Sequence, residues 1–159
     1  VHVDPICGDE GRAYVPQTLV DAWLPVLAQA DVAFPNHTEW TLLARAAGRD
    51  VGDDIWLGAA SPATVIVTSS RKGQAWGNRL LQSGQDRFVP ATRVDARLRG
   101  TGDLFAACCL RARRFGLDWF EAVHLAARQT ECVIRSSRRI GRGDTLCLQP
   151  GPACEAVEH

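Results

Sequence analysis

The sequence predicts a layered α/β fold, a mostly parallel sheet flanked by helices. Three observations predict it. Short apolar or β-branched runs alternate with stretches of helical periodicity. One of these runs, residues 64–68 (TVIVT), is continuous and β-branched, as a strand buried on both faces should be. The 159 residues, 46% hydrophobic and 23% charged, suffice for one ordinary core and leave little room for a second.

Residues 1–3 read as the tail of a strand, stopped by Asp4-Pro5. Residues 6–12 (ICGDEGR) form a polar, glycine-containing loop. From Pro16 the apolar positions Leu19, Val20, Trp23, Leu24 and Leu27 recur at three and four, so a helix runs to about Gln29, kinked or split at Pro25. Residues 31–34 are a short buried strand ended by Pro35 and Asn36. Asn36 or Thr38 caps the next helix, which carries Leu42, Leu43 and Ala46 and ends at Gly48. A weaker helical stretch covers roughly 51–60. Beyond the strand at 64–68, alternating segments around 75–81 and 88–94 flank Ser83-Gly84-Gln85-Asp86 and read as an antiparallel hairpin. Gly100-Thr101-Gly102-Asp103 opens an apolar helix, Leu104 to about Phe115. Another helix runs from about Asp118 to Arg135, and a last strand is expected at 145–148. The polar loops 4–12, 35–39, 68–73 and 99–103 then share the carboxyl edge of the sheet, where such folds hold ligands.

Eighteen basic residues balance eighteen acidic ones. A nucleic-acid coat or a polybasic membrane binder needs a net positive field, so neither partner is expected. No run reaches the roughly 18 apolar residues that cross a bilayer, and the first residues read as neither a signal nor a transit segment. The cysteines at 7, 108, 109, 132, 147 and 154 form no CxxC pair and read as small buried hydrophobes. A reducing cytoplasm is the expected compartment. The chain holds no methionine and opens inside a strand, so it is expected to be a fragment.

The sharpest local feature is Gly100-Thr101-Gly102-Asp103. Two glycines admit a ligand close to the backbone, and the following helix aims free N–H groups and its positive dipole end at that point. A phosphate suits such a nest, as does charge that develops on one during transfer. Taken alone, the segment reads as a glycine turn with a capping aspartate. Asp4 and Asp9 bracket the loop after a strand and are placed to hold Mg²⁺ through water, though Asp-Pro alone is a common strand terminator. Asn36 and Glu39 sit one turn apart at a helix start, where a cap with a first-turn acid is the plain reading. His37 reads as a surface histidine; Arg111, Arg113 and Arg114, like Arg135, Arg138 and Arg139, read as solvated faces.

The combination is more specific than its parts. Asp4-Pro5-Ile6-Cys7-Gly8-Asp9 is followed by Gly11-Arg12 and Tyr14-Val15-Pro16, then Ala30-Asp31-Val32, Pro35-Asn36, Glu39 and Leu42-Leu43. Val65-Ile66-Val67-Thr68-Ser69-Ser70 and Val94-Asp95-Ala96 lead to Gly100-Thr101-Gly102-Asp103-Leu104-Phe105-Ala106-Ala107. From Asp4 to about Arg128 this series resembles the pyridoxal kinases of the ribokinase-like superfamily.

The resemblance implies a ribokinase-like fold, incomplete at the N-terminus, with residues 1–159 forming the C-terminal, ATP-binding portion of one kinase domain. It implies phosphorylation of the 5′-hydroxymethyl group of pyridoxal, pyridoxine or pyridoxamine by Mg²⁺-ATP in pyridoxal 5′-phosphate salvage. Asp103 corresponds to the catalytic base, and Gly100, Thr101 and Gly102 to the anion hole, with Thr101 also touching ATP. Asp4 and Asp9 match the acidic pair near metal and phosphates, and Asn36 and Glu39 the motif that helps hold Mg²⁺-ATP. Thr68 and Ser69 match nucleotide contacts at the end of their strand, and Val94, Asp95 and Ala96 the adenine side. A monovalent cation is also implied, but Phe34 stands where the family often places a contacting threonine, and Cys7 replaces a bulkier apolar residue. The residues that grip the pyridine ring precede the Asp-Pro strand in the family and are not in this sequence. The full-length protein is expected to be a homodimer, and this chain alone to be poorly soluble or molten, and inactive. The alternatives are a noncatalytic nucleotide-binding remnant of such a kinase and a relative acting on hydroxymethylpyrimidine.

Overall fold

The computed structural model describes residues 1–49, 61–82, 84–94, 98–140 and 146, which fall in two compact units, Val1–Pro90 and Ala91–His159. In the first unit the chain forms β1 (His2–Val3), β2 (Gly8–Asp9), β3 (Arg12–Ala13), α1 (Gln17–Leu27), β4 (Val32–Ala33), α2 (His37–Ala46), β5 (Thr64–Lys72), β6 (Ala75–Gln82) and β7 (Gln85–Pro90). Five strands make one sheet in the order β1-β4-β5-β6-β7. β1, β4 and β5 are parallel, with Val3 opposite Ala33 and Ala33 opposite Val65. β5, β6 and β7 are antiparallel. The sheet is therefore mixed: its parallel half follows the expectation, and the predicted hairpin joins it as an antiparallel extension.

Burial explains the parallel half. The side chains of residues 64–67 are buried, and Val65 and Val67 join Val3, Ala33, Val20, Leu27, Trp40 and Leu43 in one core. α1 contributes Val20 and Leu27, one face of the predicted periodicity. Pro25 neither splits nor ends this helix, which continues to Leu27. Pro25 removes one i→i−4 bond, and the Gln29 side chain donates back to the Pro25 carbonyl at 3.1 Å.

Two differences from expectation bear on function. Residues 6–12 are not simple loop, because β2 and β3 pair as a small antiparallel hairpin. Its turn places Glu10 and Gly11 at φ 47° and 80°, the two left-handed positions of the turn type that suits hairpin twist. β5 also runs four residues past Thr68, to Lys72.

In the second unit α3 (Thr101–Arg114) and α4 (Trp119–Ile140) pack together, with Phe105, Cys109 and Ala112 of α3 and Ala122, Val123 and Ala126 of α4 buried. Gly116, at φ 92°, turns the chain between them. Asp118 and Glu121 then cap α4 reciprocally, each side chain accepting the other's backbone N–H at 2.8 Å. The helix expected at 51–60 and the strand expected at 145–148 lie outside the described residues, Leu146 apart. Among the described residues no helix is long and apolar enough to cross a membrane.

Candidate active site

In the first unit the carboxyl ends of the parallel strands gather Asp4, Asn36, Glu39, Thr68 and Ser69. Asp4 follows β1, and Asn36 comes three residues after β4. Asn36 and Thr68 form an isolated parallel bridge, closed by the Thr68 N–H donating to the Pro35 carbonyl at 2.9 Å. β5 kinks at this point. Val67 faces Arg79 and Ser70 faces Gly77, so β5 holds one residue more than β6, and Ser69 adopts φ 56°. Thr68 and Ser69 thus stand at a bulge within their strand, rather than at the strand end that the sequence predicted. The extension past them is polar, SRK, and is held by backbone pairing to β6, which hydrophobic patterning does not reveal.

Asn36 resolves the choice of cap. Its side chain accepts the Glu39 N–H at 2.9 Å, while Glu39 accepts the Asn36 N–H at 2.8 Å, a complete capping box. Both side chains also reach outside the helix. The Asn36 amide donates to the Gly8 carbonyl at 2.8 Å, and the second carboxyl oxygen of Glu39 accepts the Cys7 N–H at 3.2 Å. Thr38 takes a third tie, its hydroxyl accepting the Gly11 N–H at 2.9 Å. The first turn of α2 is therefore fastened to the hairpin that carries Asp9. Gly8 is packed so closely that a Cβ would lie 2.6 Å from the Arg12 carbonyl oxygen and 2.8 Å from Leu42 Cδ1.

Beyond its place in the first turn of α2, Glu39 is buried, only 3% exposed. Burial pushes its carboxyl up to about 7, against the backbone hydrogen bonds that favour the charged form, and Asp4 adds to the rise. Tyr14, exposed at the foot of the hairpin, is raised by burial first and then by Glu39, Asp9, Cys7 and Asp4. Asp4, Asp9 and Glu39 thus share one acidic neighbourhood. The Cys7 thiol is buried and pushed up to about 11, which keeps it protonated and inert.

In the second unit Gly100 precedes α3 at φ 80°, a left-handed conformation that favours glycine. The first bond of the helix runs from the Leu104 N–H to the Gly100 carbonyl at 3.0 Å, which leaves the N–H groups of Thr101, Gly102 and Asp103 without an intrahelical acceptor. A Cβ at Gly100 would lie 3.8 Å from Asp103 Oδ2 and 3.7 Å from Leu146 Cδ1, so the carboxylate stands beside the mouth of the helix. A Cβ at Gly102 would meet nothing within 4 Å. Gly102 and Asp103 are exposed and Thr101 is half-buried. The arrangement joins a carboxylate to an open row of N–H groups at the positive end of a 14-residue helix, the equipment for holding a phosphoryl group and taking a proton beside it. Val94 is half-buried, while Asp95 and Ala96 lie outside the described residues. Arg111, Arg113 and Arg114 occupy the last turn of α3, where they complement its dipole, and Arg113 also stacks on Trp119 at 4.9 Å.

Sequence reasoning missed Thr38 as a tie to the hairpin, and the backbone of Cys7 and Gly8 as partners of Glu39 and Asn36. The Asn-x-x-Glu spacing signalled the capping box; nothing local signalled contacts about 30 residues away.

Comparison with known proteins identifies the family and the fold. Residues 12–141 match the pfkB family carbohydrate kinases. The pyridoxal kinase of Homo sapiens is 34% identical over 133 residues, covering 67% of this chain and 42% of that protein. The crystal structure of pyridoxal kinase from Lactobacillus plantarum superposes with a TM-score of 0.75 at 26% identity, over 90% of this chain and 55% of that one. Pyridoxal kinase from Leishmania donovani in complex with ADP and pyridoxamine gives 0.69 at 26% identity, over 90% and 51%. The chain spans about half, or less, of the length of these relatives.

Proposed function

The chain belongs to the pfkB family of carbohydrate kinases, and from that premise we propose that it carries the ATP-binding half of a pyridoxal kinase. The reaction is transfer of the γ-phosphoryl group of ATP to the 5′-hydroxymethyl oxygen of pyridoxal, pyridoxine or pyridoxamine. The observation that carries this reading is the left-handed Gly100 that opens α3 with Asp103 in its first turn.

In this reading Asp103 takes the proton of the 5′-hydroxyl as its oxygen bonds to the γ-phosphorus, and ADP leaves with the electron pair of the broken P–O bond. The N–H groups of Thr101, Gly102 and Asp103 and the helix dipole stabilise the charge on the phosphoryl oxygens in transit. Thr68 and Ser69 contact the nucleotide, with Val94, Asp95 and Ala96 on its adenine side. The carboxylates of Asp4, Asp9 and Glu39 are hard oxygen donors, which fit Mg²⁺, and Asp4 and Asp9 are the more open of the three. Among the described residues no group of three or more His, Cys, Asp or Glu side chains could cage a metal. A bound Mg²⁺ would supply charge neutralisation between the phosphates. Glu39 is the positioning member: with both oxygens on backbone N–H groups, it fixes Asn36 and the Cys7–Gly8 backbone. Phe34 is buried and offers no side-chain oxygen, so no monovalent cation is assigned to it. We place the protein in the cytoplasm, as a homodimer at full length.

The reading is tested with Mg²⁺-ATP and each of the three vitamers, with hydroxymethylpyrimidine alongside, on this chain supplied with the portion of a relative that it does not span. ATP-dependent formation of the 5′-phosphate is expected, reduced at least 1,000-fold by Asp103→Asn with nucleotide binding retained. Faster turnover of hydroxymethylpyrimidine would reassign the substrate. Nucleotide binding with no turnover of any acceptor would replace the kinase by a noncatalytic module.

A further inference from the structure

Among the described residues two buried side-chain polar atoms have no partner in the protein, Trp40 Nε1 in the core of the first unit and Thr130 Oγ1 in α4. Thr130 is only 8% exposed. A hydroxyl within a helix ordinarily settles on the carbonyl four residues back, as Thr41 does on His37 at 2.9 Å and Ser137 does on Val133 at 2.8 Å. Thr130 forgoes that bond, and burying a hydroxyl without a partner costs stability. The packing of α4 on α3 shows where it stands. The two helices turn back on one another at Gly116, and the Cys109 thiol meets the Ala122 carbonyl at 3.8 Å. One turn back along α3 is Phe105 and one turn on along α4 is Ala126, both buried. A further turn in each direction brings Thr101 level with Thr130. Thr130 therefore lies behind the mouth of α3, where the N–H groups of Thr101, Gly102 and Asp103 have no intrahelical acceptor. Thr101 is half-buried, between Thr130 and the exposed Gly102 and Asp103.

We infer that Thr130 is a positioning residue of this mouth, its hydroxyl donating to Thr101 Oγ1 so that the Thr101 hydroxyl turns its own proton to a phosphoryl oxygen of the nucleotide. Each hydroxyl donates once and can also accept, so the two in series satisfy each other and offer one fixed donor to the ligand. A donor that itself receives a hydrogen bond is polarised and strengthened. No proton leaves either oxygen. The inference rests on the nucleotide site proposed above and not on the identity of the acceptor.

The test is a double-mutant cycle read by calorimetry with Mg²⁺-ATP, on this chain supplied with the portion of a relative that it does not span. Thr130→Val keeps the shape and removes the hydroxyl. Its melting temperature is expected to hold or rise, while ATP affinity falls about five- to ten-fold. Thr130→Ser keeps the hydroxyl and is expected to bind ATP within about two-fold of wild type, although it loses a buried methyl group and some stability. In a Thr101→Val background, Thr130→Val should change affinity by less than about two-fold, because the hydroxyl through which it acts is gone. Wild-type affinity in Thr130→Val would overturn the inference, as would equal losses in both backgrounds. A Thr130→Val chain that loses stability and affinity together, without rescue by Thr130→Ser, would make the residue a packing element only. ATP binding by wild type with no turnover of any acceptor would remove the kinase reading and leave this cycle to decide the role of Thr130. No ATP binding by wild type would remove both.

Discussion

At Glu39 a single side chain links packing, ionisation and the shape of the site. Its ordinary pKa of 4.5 is raised to about 7 by burial, so the folded chain holds the proton across a window in which the unfolded chain releases it. The stability from that bound proton is full below about pH 4.5 and is lost as pH rises through about 7. Glu39→Gln cannot titrate, and it leaves one of the two backbone N–H groups without an acceptor. Wild type is therefore expected to lose its advantage over the variant between about pH 4.5 and 7, by on the order of a few kcal/mol. Denaturant midpoints of both chains in dilute solution check this; a gap that stays constant with pH would contradict it. The two glycines before Asp103 make a second prediction at this scale. Gly100→Ala forces a Cβ into φ 80° and should cost about 1–2 kcal/mol, although its contacts at 3.7 and 3.8 Å are ordinary. Gly102→Ala meets no atom, so thermal stability should hold or rise slightly with the better helix former. Its methyl group would stand in the space in front of the open N–H groups, and nucleotide affinity should fall at least ten-fold. Calorimetry with ATP separates the two, and unchanged affinity in Gly102→Ala would remove the anion site from that position.

Elements were legible where one periodicity or one cap decides them. The three-and-four spacing from Leu19 to Leu27 placed α1, Asn36 with Glu39 placed the start of α2, and the β-branched run at 64–68 placed the parallel part of β5. What escaped has no local signature. β2 and β3 are two residues each and lie in a polar segment, so backbone pairing and the ties from Asn36, Thr38 and Glu39 create them. The bulge at Ser69 follows from register against β6, which appears only when the strands are aligned. Part of the site was legible for the same reason. Asp103 and its glycines are contiguous in sequence, whereas the burial of Glu39 depends on a loop 32 residues earlier. Gly77 in β6 shows how tightly the antiparallel extension is specified. A Cβ there would lie 2.2 Å from the Val89 carbonyl oxygen and 2.9 Å from Pro90 Cα, backbone atoms of β7 that cannot move aside without breaking the pairing. Gly77→Ala should thus destabilise the β6–β7 hairpin by about 3 kcal/mol or more. Hydrogen exchange should show faster amides in β7, with those of β4 little changed. Uniform loosening of the whole sheet would mean that the hairpin does not unfold as a separate unit.

For the whole molecule, the decisive quantity is apolar surface with nothing over it. The first unit has a real core, with Trp40, Leu43, Val65 and Val67 essentially inaccessible, so collapse and secondary structure are expected of the isolated chain. The same unit leaves Leu19, Ala22 and Val26 of α1 exposed beside an edge strand of only two residues. A strand pair that short contributes few hydrogen bonds, and its stability must come from covering the faces around it. The 159-residue chain should therefore show helical and strand dichroism, bind a hydrophobic dye at neutral pH, and melt over a broad range, with association that rises continuously with concentration. Dye binding should fall in Leu19→Asp/Val26→Asp, because the added charges break the stripe without touching the core. If the dye signal instead came from loosening of the core, the same substitutions would leave it unchanged and a core truncation such as Leu43→Ala would raise it. A narrow, concentration-independent transition without dye binding would mean that the chain is self-sufficient, and that the exposed stripe is ordinary surface.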